Sequence, residues 1–261
     1  MMTIKPAILS LSGLDSSGGS GLMLEKRVTQ NLDATFFPII TCLASQTDCE
    51  FNNLTPSNAK EVLSQIELLK PYDVHVIKIG ALGFYERWPD IMGQLQTFNL
   101  PIILDPVIET SSGGRLIKER DPRKIEALYT QHLIPKASLV TPNTREARFL
   151  LNIDENISSQ ILSQKFYERF QCDFLLKGGH NPQAQDALTD ILCVSGKMET
   201  YHHHRFEGTF RGTGCALSIA LAYHYAHEKN WFSACQKAIN SLQEWLKGAK
   251  PFQTRARHIL I

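Results

Sequence analysis

With 261 residues, 43% of them hydrophobic, the chain can bury a full core, and disorder is excluded as its default state. Its 27 basic and 26 acidic residues give a formal net charge of +1, which excludes wholesale attraction to a nucleic-acid backbone or to anionic lipid, so any anion site must be local. Six cysteines (Cys42, Cys49, Cys172, Cys193, Cys215 and Cys235) show neither a CxxC pair nor disulfide-framework spacing, and free thiols in a reducing compartment are expected.

The start, MMTIKPAILSLSGLDSSGG, has no long apolar segment, and no later run reaches the length of a membrane span. A cytoplasmic protein is expected. Apolar runs then alternate with stretches of helical period. AILSLS from Ala7, TFFPIITCLA from Thr35, DVHVIKIG from Asp73, PIILDP from Pro101, SLVTP from Ser138 and DFLLKGG from Asp173 read as strands covered on both faces. Between them, helices are expected from Leu22, from Ser57 (capped near Thr55, with Pro56 in its first turn), from Pro122 through Leu133, and from Ser159. The alternation predicts α/β architecture with a mainly parallel sheet.

After Asp173 the pattern becomes an antiparallel hairpin: ALTDILCV, a turn at Ser195-Gly196-Lys197, then METYHHHRF. Helices from Cys215 to about His227 and from Trp231 to about Lys247 follow. No repeat, linker or composition break divides the chain, so residues 1–261 are expected to form one domain, with the tail 251–261 unassigned.

Most polar signals fall just after strand ends, where open α/β sheets place ligands. GLDSSGGSG (Gly13 to Gly21) suits a flexible loop as well as an anion cradle, and it matches neither a Walker A motif nor a GxGxxG fingerprint. Asp105 and Glu146 can start a turn and a helix, or together hold a hydrated Mg²⁺ beside polyphosphate. Lys177 suits a solvated strand end or a phosphate contact. His202, His203 and His204 cannot converge from one strand, so a partly exposed strand face is the better reading than a metal site. In RGTGCALS, glycines bracket Thr213 directly before Cys215 at a helix start. There the backbone N–H groups can cradle an anion, and the helix dipole is expected to acidify the thiol.

GLDSSGGSG, ASQT from Ala44, VIKIG from Val76, LDPV from Leu104, SGGRL from Ser112, VTPNTREA from Val140, LKGGH from Leu176 and RGTGCALS lie in the order seen in one family. The chain resembles, from Ala7 to about Lys247, the hydroxymethylpyrimidine/phosphomethylpyrimidine kinases of thiamine biosynthesis. The resemblance implies the ribokinase-like fold, a three-layer α/β/α sandwich, with ATP and Mg²⁺ as cofactors and a small pyrimidine as substrate. It implies an anion hole at Gly212, Thr213 and Gly214, with Cys215 as base. Asp105, Asn143, Glu146 and Lys177 would serve the nucleotide, Asp105 and Glu146 would hold Mg²⁺ through water, and Gly13, Gln46 and Val107 would line the pyrimidine pocket. A homodimer is a further expectation.

The chain departs from the family pattern at Glu25 (usually aspartate), Ala81 and Ile108 (usually methionine), Ser111 (usually lysine) and Arg211 (usually histidine). Glu25 is expected to join Gln46 in hydrogen-bonding the ring, within a pocket of relaxed shape. The rival readings are a pyridoxal or pyridoxine kinase of the same fold, a homologue that binds without turnover, and, weakened by the missing fingerprint, a dinucleotide oxidoreductase.

Overall fold

The computed structural model describes residues 5–47, 50–109, 114–154, 157–179, 187–251 and 257–258. Its strands are β1 (Ala7–Asp15), β2 (Thr35–Gln46), β3 (Phe51–Pro56), β4 (Val76–Ile79), β5 (Ile102–Leu104), β6 (Leu139–Val140), β7 (Phe174–Leu176), β8 (Ala187–Val194) and β9 (Lys197–His204). They form one nine-stranded sheet in the order β3-β2-β1-β4-β5-β6-β7-β8-β9. From β2 to β7 every pairing is parallel; β3 adds an antiparallel edge on one side, and the β8–β9 hairpin extends the other.

Helices α1 (Gly21–Asn31), α2 (Ala59–Leu69), α3 (Trp88–Gln96), α4 (Pro122–Ala127), α5 (Thr144–Leu151), α6 (Ser159–Phe170), α7 (Thr213–Glu228) and α8 (Trp231–Gly248) cover the sheet on both faces. Alternation along the strands divides the core. Leu9, Leu11, Ile77, Ile79 and Leu104 pack with residues of α2 to α6, whereas Ile8, Val76, Ile103, Leu139 and Leu175 pack with α1, α7 and α8. The result is the expected three-layer sandwich.

Three local readings are corrected. Thr55 and Pro56 end strand β3, and α2 is instead capped by Asn58, whose side chain accepts the Lys60 N–H at 2.9 Å. Proline is tolerated there because β3 lies at the sheet edge. The helix from Pro122 ends at Ala127 and passes into a π-helical turn, Leu128–Leu133, before Pro135. Helix α3 has no counterpart in the sequence reading, although Pro89 and Asp90 in its first turn are start signals. From the tail, Lys250–Pro251 (β11) and Arg257–His258 (β12) join Phe210–Arg211 (β10) in a second, three-stranded sheet.

Candidate active site

The carboxyl ends of the parallel strands and the start of α7 surround a cavity of about 550 Å³. Gly212 is the N-cap of α7, with φ at 74°, a left-handed conformation that glycine adopts without strain. A Cβ there would also run into the Gly19 carbonyl oxygen and Leu24. The helix opens two residues before the expected start at Cys215, at Thr213, and no side chain caps it. The Ala216 N–H bonds the Gly212 carbonyl at 2.8 Å, so the N–H groups of Thr213, Gly214 and Cys215 precede the first intrahelical bond. Together with the helix dipole they form an anion-binding start.

Lys177 follows β7 and brings its ammonium against this start: Nζ lies 3.3 Å from where a Cβ on Gly214 would stand. It donates to Asp105 Oδ1 at 2.7 Å. Asp105, fully buried after β5, also accepts Thr141 Oγ1 at 3.1 Å and, on Oδ2, Ser218 Oγ at 3.2 Å. Burial works against its charge, but Lys177, Lys78 and these hydrogen bonds outweigh it and hold its pKa below the ordinary carboxylate value. The same Asp105 charge and its own burial push Lys177 in opposite directions, and the net pKa of Lys177 is raised.

Asn143 caps α5 by accepting the Arg145 and Glu146 N–H groups at 2.9 Å each, while Glu146 Oε2 accepts the Asn143 N–H at 2.7 Å. This capping box fixes Glu146 at the cavity wall. Its carboxyl is pushed up to about 7, first by burial and then by Asp105, against the opposing pull of Lys177. A carboxyl raised in the fold is protonated there while the unfolded chain has already ionised, so it costs stability as pH rises from about 4.5 to about 7. Thermal melts should therefore show Glu146→Gln gaining on the wild type across that window, with no further gain above it. A difference independent of pH would refute the assignment.

Two expectations concerning the acceptor end are overturned. Glu25 does not reach the cavity. It lies beneath the wall with its side chain 0% exposed, accepting Lys78 Nζ at 2.6 Å and Ser10 Oγ at 2.5 Å. Helix α1 turns residue 25 onto the sheet, and a buried carboxylate requires a partner there. Nor is Cys215 acidified. Its half-buried thiol is pushed up to about 11 by desolvation, aided by Glu25 and Asp105; Lys78 and the Gly21 N–H pull the other way and lose.

Gly13, Gln46 and Val107 do line the cavity, joined by Ala44, Ala81 and Leu116 as apolar wall. A Cβ at Gly13 would meet Cys42 Sγ at 3.0 Å, a tight contact, so the wall there is closely packed. Gln46 Oε1 is buried without a hydrogen-bond partner. An orphaned acceptor in a cavity wall is a position for a ligand's N–H. Ile108 also lines the cavity, whereas Ser111, Cys49 and His180 lie outside the described residues.

At the far end of the cavity, Leu188, Leu242 and Leu246 supply apolar wall. His202 and His204 are exposed as the strand reading expects, but His203 turns inward, with Nε2 3.0 Å from Asp190 Oδ2. Asp190 accepts the Gly178 N–H at 2.7 Å through its other oxygen. Asp190 has no role in the sequence reading, and the braces Thr141 and Ser218 fall within its VTPNTREA and RGTGCALS motifs without being given one. Cys42, Cys193 and Cys235 are buried free thiols, and Cys172 and Cys215 are partly buried. Among the described residues no helix is long and apolar enough to cross a membrane.

The family pattern for phosphomethylpyrimidine kinase matches residues 15–259. A hydroxymethylpyrimidine/phosphomethylpyrimidine kinase of Aquifex aeolicus is 30% identical over 93% of this chain and 94% of its own length. The enzyme of that name in Haemophilus influenzae is 28% identical over 95% and 90%. A Schizosaccharomyces pombe relative is also 28% identical, over 98% of this chain, which spans about half (49%) of that longer protein. In fold, pyridoxal kinase of Staphylococcus aureus superposes with a TM-score of 0.86 at 20% identity, over 99% of this chain and 94% of that one. Phosphomethylpyrimidine kinase of Clostridium difficile gives 0.77 at 24% identity, over 93% and 100%.

Proposed function

Because the chain belongs to the phosphomethylpyrimidine kinase family, we propose that it transfers the γ-phosphoryl group of ATP to 4-amino-5-hydroxymethyl-2-methylpyrimidine and then to the monophosphate, as a cytoplasmic enzyme of thiamine biosynthesis. One observation supports this most. A single cavity joins an apolar ring subsite with an orphaned acceptor, Gln46 Oε1, to a helix start backed by Lys177. A pyrimidine 4-amino group is the donor that Gln46 lacks. An acceptor left unpaired by an analogue costs far more selectivity than a missing methylene against the apolar wall.

Phosphoryl transfer needs positioning and charge neutralisation more than covalent chemistry. The N–H groups of Thr213, Gly214 and Cys215 hold the transferring group, and Lys177 neutralises its charge. The acceptor oxygen attacks phosphorus as the bond to the β-phosphate oxygen breaks, and in the first transfer the hydroxyl proton passes to the Cys215 thiolate. The apolar end at Leu188, Leu242 and Leu246 suits the nucleotide base.

The carboxylates fit a magnesium ion held through water. Both Asp105 oxygens already accept hydrogen bonds, and Glu146 commits Oε2 to the Asn143 N–H. When bound, held through water by Asp105 and Glu146, the ion would supply positive charge that offsets that of the phosphates. Its presence beside Glu146 would also favour the ionised carboxylate there.

The test is a panel of the pyrimidine alcohol, its monophosphate and pyridoxal, assayed with ATP and Mg²⁺. Both pyrimidines should be phosphorylated with higher kcat/KM than pyridoxal. Preference for pyridoxal would support the second reading, for which the small Ala81 in the ring wall leaves room. A protein that binds the panel without consuming ATP would support a scaffold without turnover. The homodimer remains part of the proposal, and light scattering of the purified protein tests it.

A further inference from the structure

A hydrogen-bonded chain at the nucleotide-base end of the cavity takes no part in the transfer itself. It begins at Asp190 on β8, whose Oδ1 accepts the Gly178 N–H at 2.7 Å. The other oxygen, Oδ2, lies 3.0 Å from Nε2 of His203 on β9, and the two side chains are only 5% and 9% exposed. His203 Nδ1 in turn lies 3.2 Å from Nε2 of Gln243 on α8, and that same amide nitrogen donates to the His204 carbonyl at 3.2 Å. Asp190, His203 and Gln243 all line the cavity, beside the apolar wall of Leu188, Leu242 and Leu246.

The two ends of this chain fix the sense of every bond in it. A carbonyl oxygen only accepts, so the part of the Gln243 amide that faces His204 is the nitrogen. That nitrogen can also bond Nδ1 only where Nδ1 offers a lone pair, which puts the imidazole proton on Nε2. From the other end, a carboxylate only accepts, so Asp190 requires the proton on Nε2 as well. The donors therefore run from Gln243 to His203 to Asp190. Held in this sense, Gln243 has one polar atom left over: its Oε1 accepts no hydrogen bond among the described residues.

A fixed acceptor beside a leucine wall discriminates between bases of the same shape. Adenine carries an amino donor on C6, where hypoxanthine carries a carbonyl oxygen. The first pairs with an acceptor, and the second leaves it unpaired and faces it with like partial charge.

We propose that Gln243 Oε1 reads the 6-amino group of the donor nucleotide, and that Asp190, acting through His203, is the positioning residue that sets the sense of that amide. The inference rests on the kinase reading above, which puts the base at this end of the cavity, and it names what selects the base there.

The experiment is calorimetric binding of ADP and of inosine diphosphate to the full-length protein with no acceptor present. The shared ribose and phosphates cancel in the ratio of the two dissociation constants. The wild type should bind ADP about 10-fold more tightly, the scale of one buried hydrogen bond. Gln243→Met, close in length but without the acceptor, should bring the two constants together by weakening ADP. Asp190→Asn gives the sharper result. The Gly178 N–H still claims the side-chain oxygen, so the amide nitrogen faces His203 Nε2 and drives the imidazole proton to Nδ1. Gln243 must then turn Oε1 toward Nδ1 and its NH2 toward the base, which shifts the ratio in favour of inosine diphosphate. A residue that only braced β8 against β7 would move both constants alike. If Asp190→Asn does not fold, Gln243→Met, at a half-buried position, decides the matter by itself. A wild-type ratio near one, or an unchanged ratio in Gln243→Met, overturns the inference and leaves the kinase reading intact. A folded Asp190→Asn with the wild-type ratio overturns the positioning role. A wild type that binds neither nucleotide overturns the kinase reading as well.

Discussion

Lys177→Met is expected to slow transfer to both acceptors by about 10²- to 10³-fold, the scale of losing one preorganised group that stabilises transition-state charge. Its ammonium touches two parts of the site, the Asp105 carboxylate at 2.7 Å and the helix start at Gly214. As the bond to the leaving phosphate loosens, negative charge spreads over oxygens held by the α7 amides, and Lys177 is the side-chain cation placed against that position. The change should appear in kcat, with less effect on KM for the pyrimidine, because the ring is held at the other end of the cavity. Removing the ammonium also leaves Asp105 buried without its counter-charge, a destabilising change in its own right. Lys177→Met with Asp105→Asn separates the effects. If the double variant regains thermal stability and is slower than Asp105→Asn alone, Lys177 acts on the reaction. If it regains stability and matches the rate of Asp105→Asn, Lys177 is a structural counter-ion.

Why Lys177 was visible in the sequence, and Glu25 was misread, follows from the range of the forces involved. Strand ends are marked locally, by apolar runs that stop at LDP, TPN and KGG, and a parallel sheet gathers such ends on one edge whatever the strand order. Thus Asp105 and Lys177, 72 residues apart, could be placed at one site without knowing their bond. The direction in which a helix residue points depends on how the helix packs. Glu25 follows Leu24 in a buried stretch of α1, and only the position of Lys78 on β4 explains why a carboxylate faces the sheet. Edge strand β3 was misread for a related reason. Thr55-Pro56 carries the local signature of a helix cap, and its pairing with β2 is a tertiary choice. Arg211 and Asp15, whose side chains pair at 3.2 Å in the cavity wall, lie 196 residues apart, and only the fold brings them together.

Cys215 gives the second large expected effect, and its raised pKa sets the form of the test. A thiol at about 11 is thiolate in roughly one molecule in 10⁴ at pH 7. If that thiolate accepts the hydroxyl proton, transfer to the alcohol should rise about tenfold per pH unit from 7 toward 10. Alkylation of Cys215 by a small reagent, read by peptide mass, should follow the same line. Cys215→Ser, whose hydroxyl does not ionise in this range, should flatten the profile and lower the alcohol rate by about 10² or more at the alkaline end. The monophosphate should lose less, since its attacking oxygen is ionised before it arrives and needs no base. The wild-type profiles for the two acceptors should therefore diverge with pH, and those of Cys215→Ser should run parallel. A wild-type alcohol rate that is flat while alkylation climbs would show a titrating thiol that takes no proton from the acceptor, leaving Cys215 to contribute its backbone N–H to the helix start. Equal and small losses with both acceptors would make its side chain a packing group between α1 and α7.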